Sequence, residues 1–268
     1  MNVTTIINKK EIKDFFKENF KLDCIKEDEL ESFNDNNMSI DYRLLGHVVE
    51  YMTMLANGLH YSELYPVKNF NLHYKGQGHI SEQDIIYRYN LKRLNFKSNI
   101  HECLNELIIL GMIESKVRSS LPIELDDLVK IESEVKNKNE EKQIAKNIFN
   151  SSIKKTTFWK HKIIYNPHFK NAYIANDADF IIVKENEKAL YEIKTSKNGK
   201  IDISYIHQLL VYLFLAKFNG IVIDKIGLYM PRQDFVKEWS VNKIIEDSCF
   251  ENISEASNFF YCIVKGNK

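Results

Sequence analysis

Hydrophobic positions along the chain repeat with two different periods, and the change falls near residue 160. Over residues 9–22 (KKEIKDFFKENFKL), Ile12, Phe15, Phe16 and Phe20 recur at helical spacing. Residues 40–56 (IDYRLLGHVVEYMTMLA) carry Leu44, Leu45, Val48, Tyr51, Met52 and Leu55 on one side, which predicts a buried helix that Gly58 stops. Residues 60–80, with Pro66, Gly76 and Gly78, read as irregular. Helices are predicted over 82–95 and 99–113, the second with a stripe of Leu104, Leu107, Ile108 and Met112. A long charged helical segment lies within 121–150, and its Lys-Asn-Lys-Asn-Glu-Glu run (136–141) is the best candidate for a flexible joint.

From about residue 162 the period shortens. IIYNPHF, AYIANDADFIIV, KALYEIKTS and KIGLYM each read as a strand. The last two are separated by a helix over 203–218 that is apolar nearly all round and so has to pack against a sheet. An edge strand and one or two helices complete the pattern. The expectation is a mostly helical region, 1–150, that lends one helix (40–56) to an α/β domain spanning 151–268.

Residues 171–196 break the apolar pattern with charge. Side chains alternate across a strand, so Glu192 and Lys194 share one face and Ile193 takes the other. An acid and an amine at an apolar strand end are costly to bury without compensation. A divalent cation between Asp179 and Glu192, with Lys194 beside the reacting atom, supplies it, and this is the chemistry of metal-dependent phosphodiester hydrolysis. Carboxylate oxygens suit Mg²⁺, and the carbonyl of Ile193 is a candidate third ligand. Asp177 shares strand parity with Asp179 and stays a candidate for the same role; Asp179 is preferred because the apolar strand follows it directly. In the next helix, Gln208 and Tyr212 stand one turn apart on one face, with Tyr205 on the same side.

DADFII, YEIKTSK and HQLLVY together resemble the motifs of the PD-(D/E)XK nuclease superfamily, most of all its RecB-like branch with a QxxxY helix. The resemblance covers about residues 165–240. It implies a restriction-endonuclease-like three-layer α/β core, a central mixed sheet flanked by helices, with an added N-terminal helical region. It also implies that Asp179 and Glu192 bind Mg²⁺ or Mn²⁺, that Lys194 assists catalysis, and that Gln208 and Tyr212 position substrate or site residues. The branch places a Gly three residues before its first Asp, where this chain has Asn176. Its upstream helix carries a Gly followed four positions later by a His or an acid, which Gly46 and Glu50 match; Glu50 would be a third carboxylate, with His47 as a rival. Iron–sulfur members use one upstream cysteine and a close group of three downstream. Here Cys24, Cys103, Cys249 and Cys262 form no such group, so no iron–sulfur cluster is expected, and all four are expected as free, largely buried thiols.

Composition narrows the rest. The 268 residues are 44% hydrophobic, enough for a sizeable core, and 37 basic residues balance 37 acidic ones. A nucleic-acid surface therefore has to come from local clustering. KKTTFWKHK offers one: Lys154, Lys155 and Lys160 for phosphates and Trp159 to stack a base, joined by Lys197 after the motif strand. No helix-turn-helix or zinc finger is readable, so sequence-specific recognition is unsupported. No apolar run approaches the length of a membrane span and the N-terminus lacks a signal-peptide pattern, which gives the expectation of a cytoplasmic protein. The resulting expectation is a Mg²⁺-dependent nuclease acting on DNA, with the helical region as a surface for a protein partner or a homodimer. Two alternatives are a non-catalytic DNA-binding or scaffolding module on the same fold and a site-specific endonuclease or junction resolvase.

Overall fold

The computed structural model describes residues 1–22, 30, 40–70, 82–95, 100–119, 122–155, 158–196 and 199–266. Its helices in chain order are α1 (Val3–Ile7), α2 (Lys10–Asn19), α3 (Tyr42–Ala56), α4 (Tyr65–Lys68), α5 (Glu82–Arg88), α6 (Leu104–Arg118), α7 (Leu125–Glu134), α8 (Asn139–Ile148), α9 (Ile203–Phe218), α10 (Val241–Glu246) and α11 (Ile253–Gly266). The strands are β1 (Lys162–Tyr165), β2 (His168–Lys170), β3 (Ala175–Asp177), β4 (Phe180–Lys184), β5 (Glu187–Ile193), β6 (Lys225–Met230) and β7 (Phe235–Ser240). The chain divides into two compact units: Met1–Ser32 with Lys160–Lys194 and Asn198–Lys268, and Phe33–Trp159 with Thr195–Lys197.

The second unit is helical. The Asp41 carboxylate starts α3 by accepting from the backbone N–H groups of Arg43 and Leu44, and Gly58, at φ 101°, ends the turn after it. Leu44, Leu45, Val48 and Met52 of α3 belong to one buried core with Leu107, Ile108 and Leu110 of α6. The charged stretch expected as one long helix is two, α7 and α8, separated by a 3₁₀ turn over Val135–Asn137. Lys138, at φ −89° and ψ 43°, leaves helical geometry at the Lys-Asn run. The irregular reading of 60–80 is replaced by α4 and a short 3₁₀ turn as far as residue 70; residues 71–80 lie outside the described residues, as does Cys24.

The first unit is α/β. Its five-stranded sheet runs β1-β4-β5-β6-β7. The β5–β6 pair is parallel, with α9 as the connection between them, and the other pairs are antiparallel, so the sheet is mixed. The strand expected over AYIANDADFIIV is in fact two strands in two sheets, β3 pairing β2 and β4 pairing β1. The reason lies on the opposite strand. Asn166 takes a left-handed conformation (φ 45°) and Pro167 has no N–H, so β1 stops at Tyr165. Strand parity is broken at Ala178, and the expected common orientation of Asp177 and Asp179 does not follow.

Ile181, Leu190, Ile226, Leu228 and Met230 share one core with α9, whose residues from Ile206 to Ala216 are all buried. Phe15, Phe16 and Phe20 of the N-terminal segment join Phe214 of α9 and Phe260 of α11 in an aromatic cluster, with ring centroids 5.2–6.4 Å apart across Phe15–Phe214, Phe16–Phe214 and Phe214–Phe260. This packing places α1 and α2 with the sheet, whereas the sequence pattern assigned all of 1–150 to the helical region. α3, expected to be lent to the α/β domain, falls in the helical unit. The thiols also differ from expectation: Cys103 is buried, but Cys249 and Cys262 are exposed.

On the other sheet face, Tyr191 stacks on Phe180 (5.1 Å, 8°) and lies opposite Gly227. A Cβ at Gly227 would come within 2.5 Å of the Tyr191 ring. The ring cannot withdraw easily, because it is buried and its hydroxyl donates to Glu238 at 2.5 Å. Gly227→Ala is therefore expected to destabilise the protein by about 1–3 kcal/mol through overpacking. A denaturant midpoint equal to wild type would show that Tyr191 is not held against β6.

Candidate functional site

The end of β5 places Glu192 on the same sheet face as Leu190, toward α9. Asp179 immediately precedes β4, one position beyond the Phe180–Tyr191 pair, and its Oδ2 accepts from the backbone N–H of Ile193 at 2.5 Å. Two neighbouring antiparallel strands thus bring the two carboxylates to one sheet end. Lys194 follows β5, with its backbone N–H bonded to Tyr229 of β6 (2.9 Å). Its ammonium donates to Glu192 Oε1 (2.7 Å) and to Gln208 Oε1 (2.9 Å), and lies 5.3 Å from the centre of the Tyr205 ring.

Gln208 and Tyr212 come from α9, which Asp202 starts by accepting from the Ser204 N–H. Gln208 Nε2 donates to Glu192 Oε1 (2.7 Å) and to the Tyr212 hydroxyl (3.1 Å). The Asn176 side-chain amide of β3 lies 2.6 Å from the same hydroxyl, and Phe169 of β2 flanks the Tyr212 ring. One hydrogen-bonded chain therefore runs Asn176, Tyr212, Gln208, Glu192 and Lys194.

The electrostatics follow from depth. The Glu192 side chain is 6% exposed and that of Lys194 21%. Burial alone would lower the Lys194 ammonium, but the adjacent Glu192 and Asp179 carboxylates outweigh it and hold the group above its ordinary value. Burial pushes the Tyr212 phenol well above its ordinary value, with Glu192 adding to the effect. Glu192 Oε2 is buried with no hydrogen-bond partner among the described residues, an arrangement that a bound cation or its water would satisfy.

The structure brings Asp179, Glu192, Lys194, Gln208 and Tyr212 together as expected. Asp177 is not part of that cluster: its Oδ1 lies 2.6 Å from His168 Nδ1 across the β2–β3 pair. Glu50 stands on α3 in the helical unit; burial would lower the Arg118 guanidinium, but Glu114 and then Glu50 outweigh it and raise the group. Its neighbour His47 lies 3.5 Å from Glu114, a fully buried acid that also accepts from Arg118 Nε. Burial lowers His47, with Glu114 opposing. Gly46, one turn before Glu50, faces Thr195, whose Oγ1 a Cβ would meet at 3.0 Å. Among the described residues, no group of three or more His, Cys, Asp and Glu side chains gathers as a metal cluster. Lys154, Lys155 and Lys160 are exposed; Lys197 and the Trp159 side chain lie outside the described residues. Sequence reasoning missed Asn176 as a member of the chain, and the available signal was its mismatch to the motif.

A cavity of about 800 Å³ opens at the amino end of α9, lined in part by Lys13, Phe16, Phe20 and His207 and not by Asp179, Glu192 or Lys194. His207 stacks on Phe16 (4.4 Å), and burial lowers its pKa from 6.5 to about 4, with Lys13 adding to the fall and Asp202 opposing it. The folded state thus takes up this proton less readily than the unfolded chain. The stability is complete above about pH 6.5 and is lost as pH falls toward about 4, by about 3 kcal/mol if His207 acts alone. Thermal unfolding should show His207→Phe losing less stability than wild type between pH 7.5 and pH 4.5. Parallel losses would remove His207 as the cause.

No family model, curated protein or solved structure matches this chain. No described helix is long and apolar enough to cross a membrane.

Proposed function

We propose that the Asp179–Glu192–Lys194 cluster is the active site of a divalent-cation-dependent nuclease of the PD-(D/E)XK type, acting on DNA. The observation that carries this reading is the bonding of Lys194 to Glu192 and Gln208 beside Asp179 at one sheet end. The mixed sheet, with α9 connecting parallel β5 and β6, fits the three-layer restriction-endonuclease-like core of that superfamily.

The residues fit a hard cation. The donors are carboxylate oxygens, and Glu192 Oε2 is a buried acceptor without a partner among the described residues. Asp179, Glu192 and the carbonyl of Ile193 would hold Mg²⁺ or Mn²⁺. When bound, the ion would supply polarisation of the phosphoryl oxygens and would lower the pKa of a coordinated water. Lys194 donates to Glu192 and Gln208 and, with substrate bound, would donate a hydrogen bond to the scissile phosphate or to the attacking water. Gln208, pinned between Glu192, Lys194 and Tyr212, holds the amine in place. The exposed Lys154, Lys155 and Lys160 fit phosphate contacts, and the helical unit is a candidate surface for a protein partner or a second copy.

The reading is tested on labelled linear, circular, single-stranded and duplex DNA with Mg²⁺, Mn²⁺ or a chelator. Cation-dependent cleavage that the chelator stops supports it. Defined fragments would point to a site-specific endonuclease or junction resolvase, and progressive loss of ends to an exonuclease. Cation-independent binding without cleavage of any form would favour a non-catalytic DNA-binding module.

A further inference from the structure

The Asn176–Tyr212 contact assigns a direction to the hydrogen-bond chain. Tyr212 is 2% exposed, so its hydroxyl proton needs an acceptor inside the protein. Gln208 Nε2 already donates to this hydroxyl at 3.1 Å. If the Asn176 amide nitrogen also faced it, two donors would meet one oxygen. The Asn176 amide group lies 2.6 Å from the hydroxyl, within the O–H···O range, and 3.3 Å from the Asp177 carbonyl; with its oxygen toward Tyr212 the amide gives up the long contact to Asp177 and accepts the buried hydroxyl proton. The two ends of an amide have the same shape, so the hydrogen-bond network decides which one faces the hydroxyl.

We infer that Asn176 is a positioning residue: its amide oxygen accepts the Tyr212 proton and thereby orients Gln208 between Glu192 and Lys194. With its proton committed to Asn176, Tyr212 accepts from Gln208. Gln208 Nε2 then points to Tyr212 and Glu192, and Gln208 Oε1 is left for the Lys194 ammonium, the arrangement observed. Were Gln208 turned over, its NH₂ would face the ammonium and its carbonyl the Glu192 carboxylate, and both contacts would be repulsive. Asn176 touches neither carboxylate of the cluster and acts through Tyr212 alone. This assignment rests on the nuclease reading for its catalytic consequence but not for its geometry.

The test has one readout for each. In protein labelled with ¹⁵N at glutamine and asparagine, the Gln208 side-chain NH₂ signal is identified by its loss in Gln208→Ala. Asn176→Leu, which keeps the shape but removes the acceptor, is expected to shift or split that signal, and Asn176→Asp, which keeps an acceptor oxygen, to leave it near wild type. In cleavage assays, Asn176→Leu and Tyr212→Phe are each expected to lower kcat about tenfold with KM unchanged, the value of one oriented hydrogen bond to a charged group. The double variant should be no worse than either single one. An unmoved Gln208 signal in Asn176→Leu, equal disturbance by Asn176→Asp, or additive losses would overturn the assignment. Asn176→Ala serves if the leucine variant does not fold. Absence of cleavage by wild type would instead strike the nuclease reading and leave the Gln208 signal to decide the geometry.

Discussion

Lys194→Met is expected to lower cleavage by at least about a hundredfold, the usual contribution of a positioned donor at a reacting group. The methionine keeps most of the apolar stem, so the packing beside Tyr205 survives and the loss reports the ammonium. The same substitution should tighten divalent-cation binding, because Lys194 holds Glu192 Oε1 at 2.7 Å and its charge opposes a second cation. It should also destabilise the cation-free protein, since Glu192 is left buried without its counter-charge. Added Mn²⁺ should then raise the melting temperature of the variant more than that of wild type. Cleavage within threefold of wild type, or weaker Mn²⁺ binding, would contradict the role assigned to Lys194.

Glu192→Gln is expected to abolish detectable cation binding and to lower cleavage by about a thousandfold or more, since the Lewis-acid contribution is worth several kcal/mol. The substitution is nearly isosteric. An amide oxygen can still accept from Lys194, so the fold should persist, as circular dichroism would show. What changes is charge. Burial pulls the Lys194 ammonium down and the Glu192 carboxylate is the first of the groups that outweigh it. In Glu192→Gln the Lys194 pKa should therefore fall, and the amine would lose its proton nearer to neutral pH. Calorimetry showing Mn²⁺ binding equal to wild type would remove Glu192 from the cation site.

Much of the cluster was legible because it depends on local rules. Period-two alternation puts Glu192 and Lys194 on one face, and helical spacing puts Gln208 above Tyr212. Charges in apolar strands marked the positions. What was not legible depends on partners distant in sequence. The strand break at Ala178 is set by Asn166 and Pro167 on the opposite strand, so the common orientation of Asp177 and Asp179 failed. The helical stripe of Phe15, Phe16 and Phe20 was readable, but its partners Phe214 and Phe260 were not, and α1 and α2 were therefore assigned to the wrong unit. Asn176 looked like a motif defect, because its value lies in a contact with Tyr212, 36 positions away. The charged stretch divides into α7 and α8 at the Lys-Asn-Lys-Asn-Glu-Glu run, which the sequence marked as a candidate flexible joint within one long helix.

The most direct measurement is to locate Mn²⁺ by its anomalous scattering in crystals of the wild-type protein. The account predicts one strong peak shared by the carboxylates of Asp179 and Glu192 and missing in Glu192→Gln crystals. A peak elsewhere on the molecule, or none at this sheet end at millimolar Mn²⁺, would contradict it.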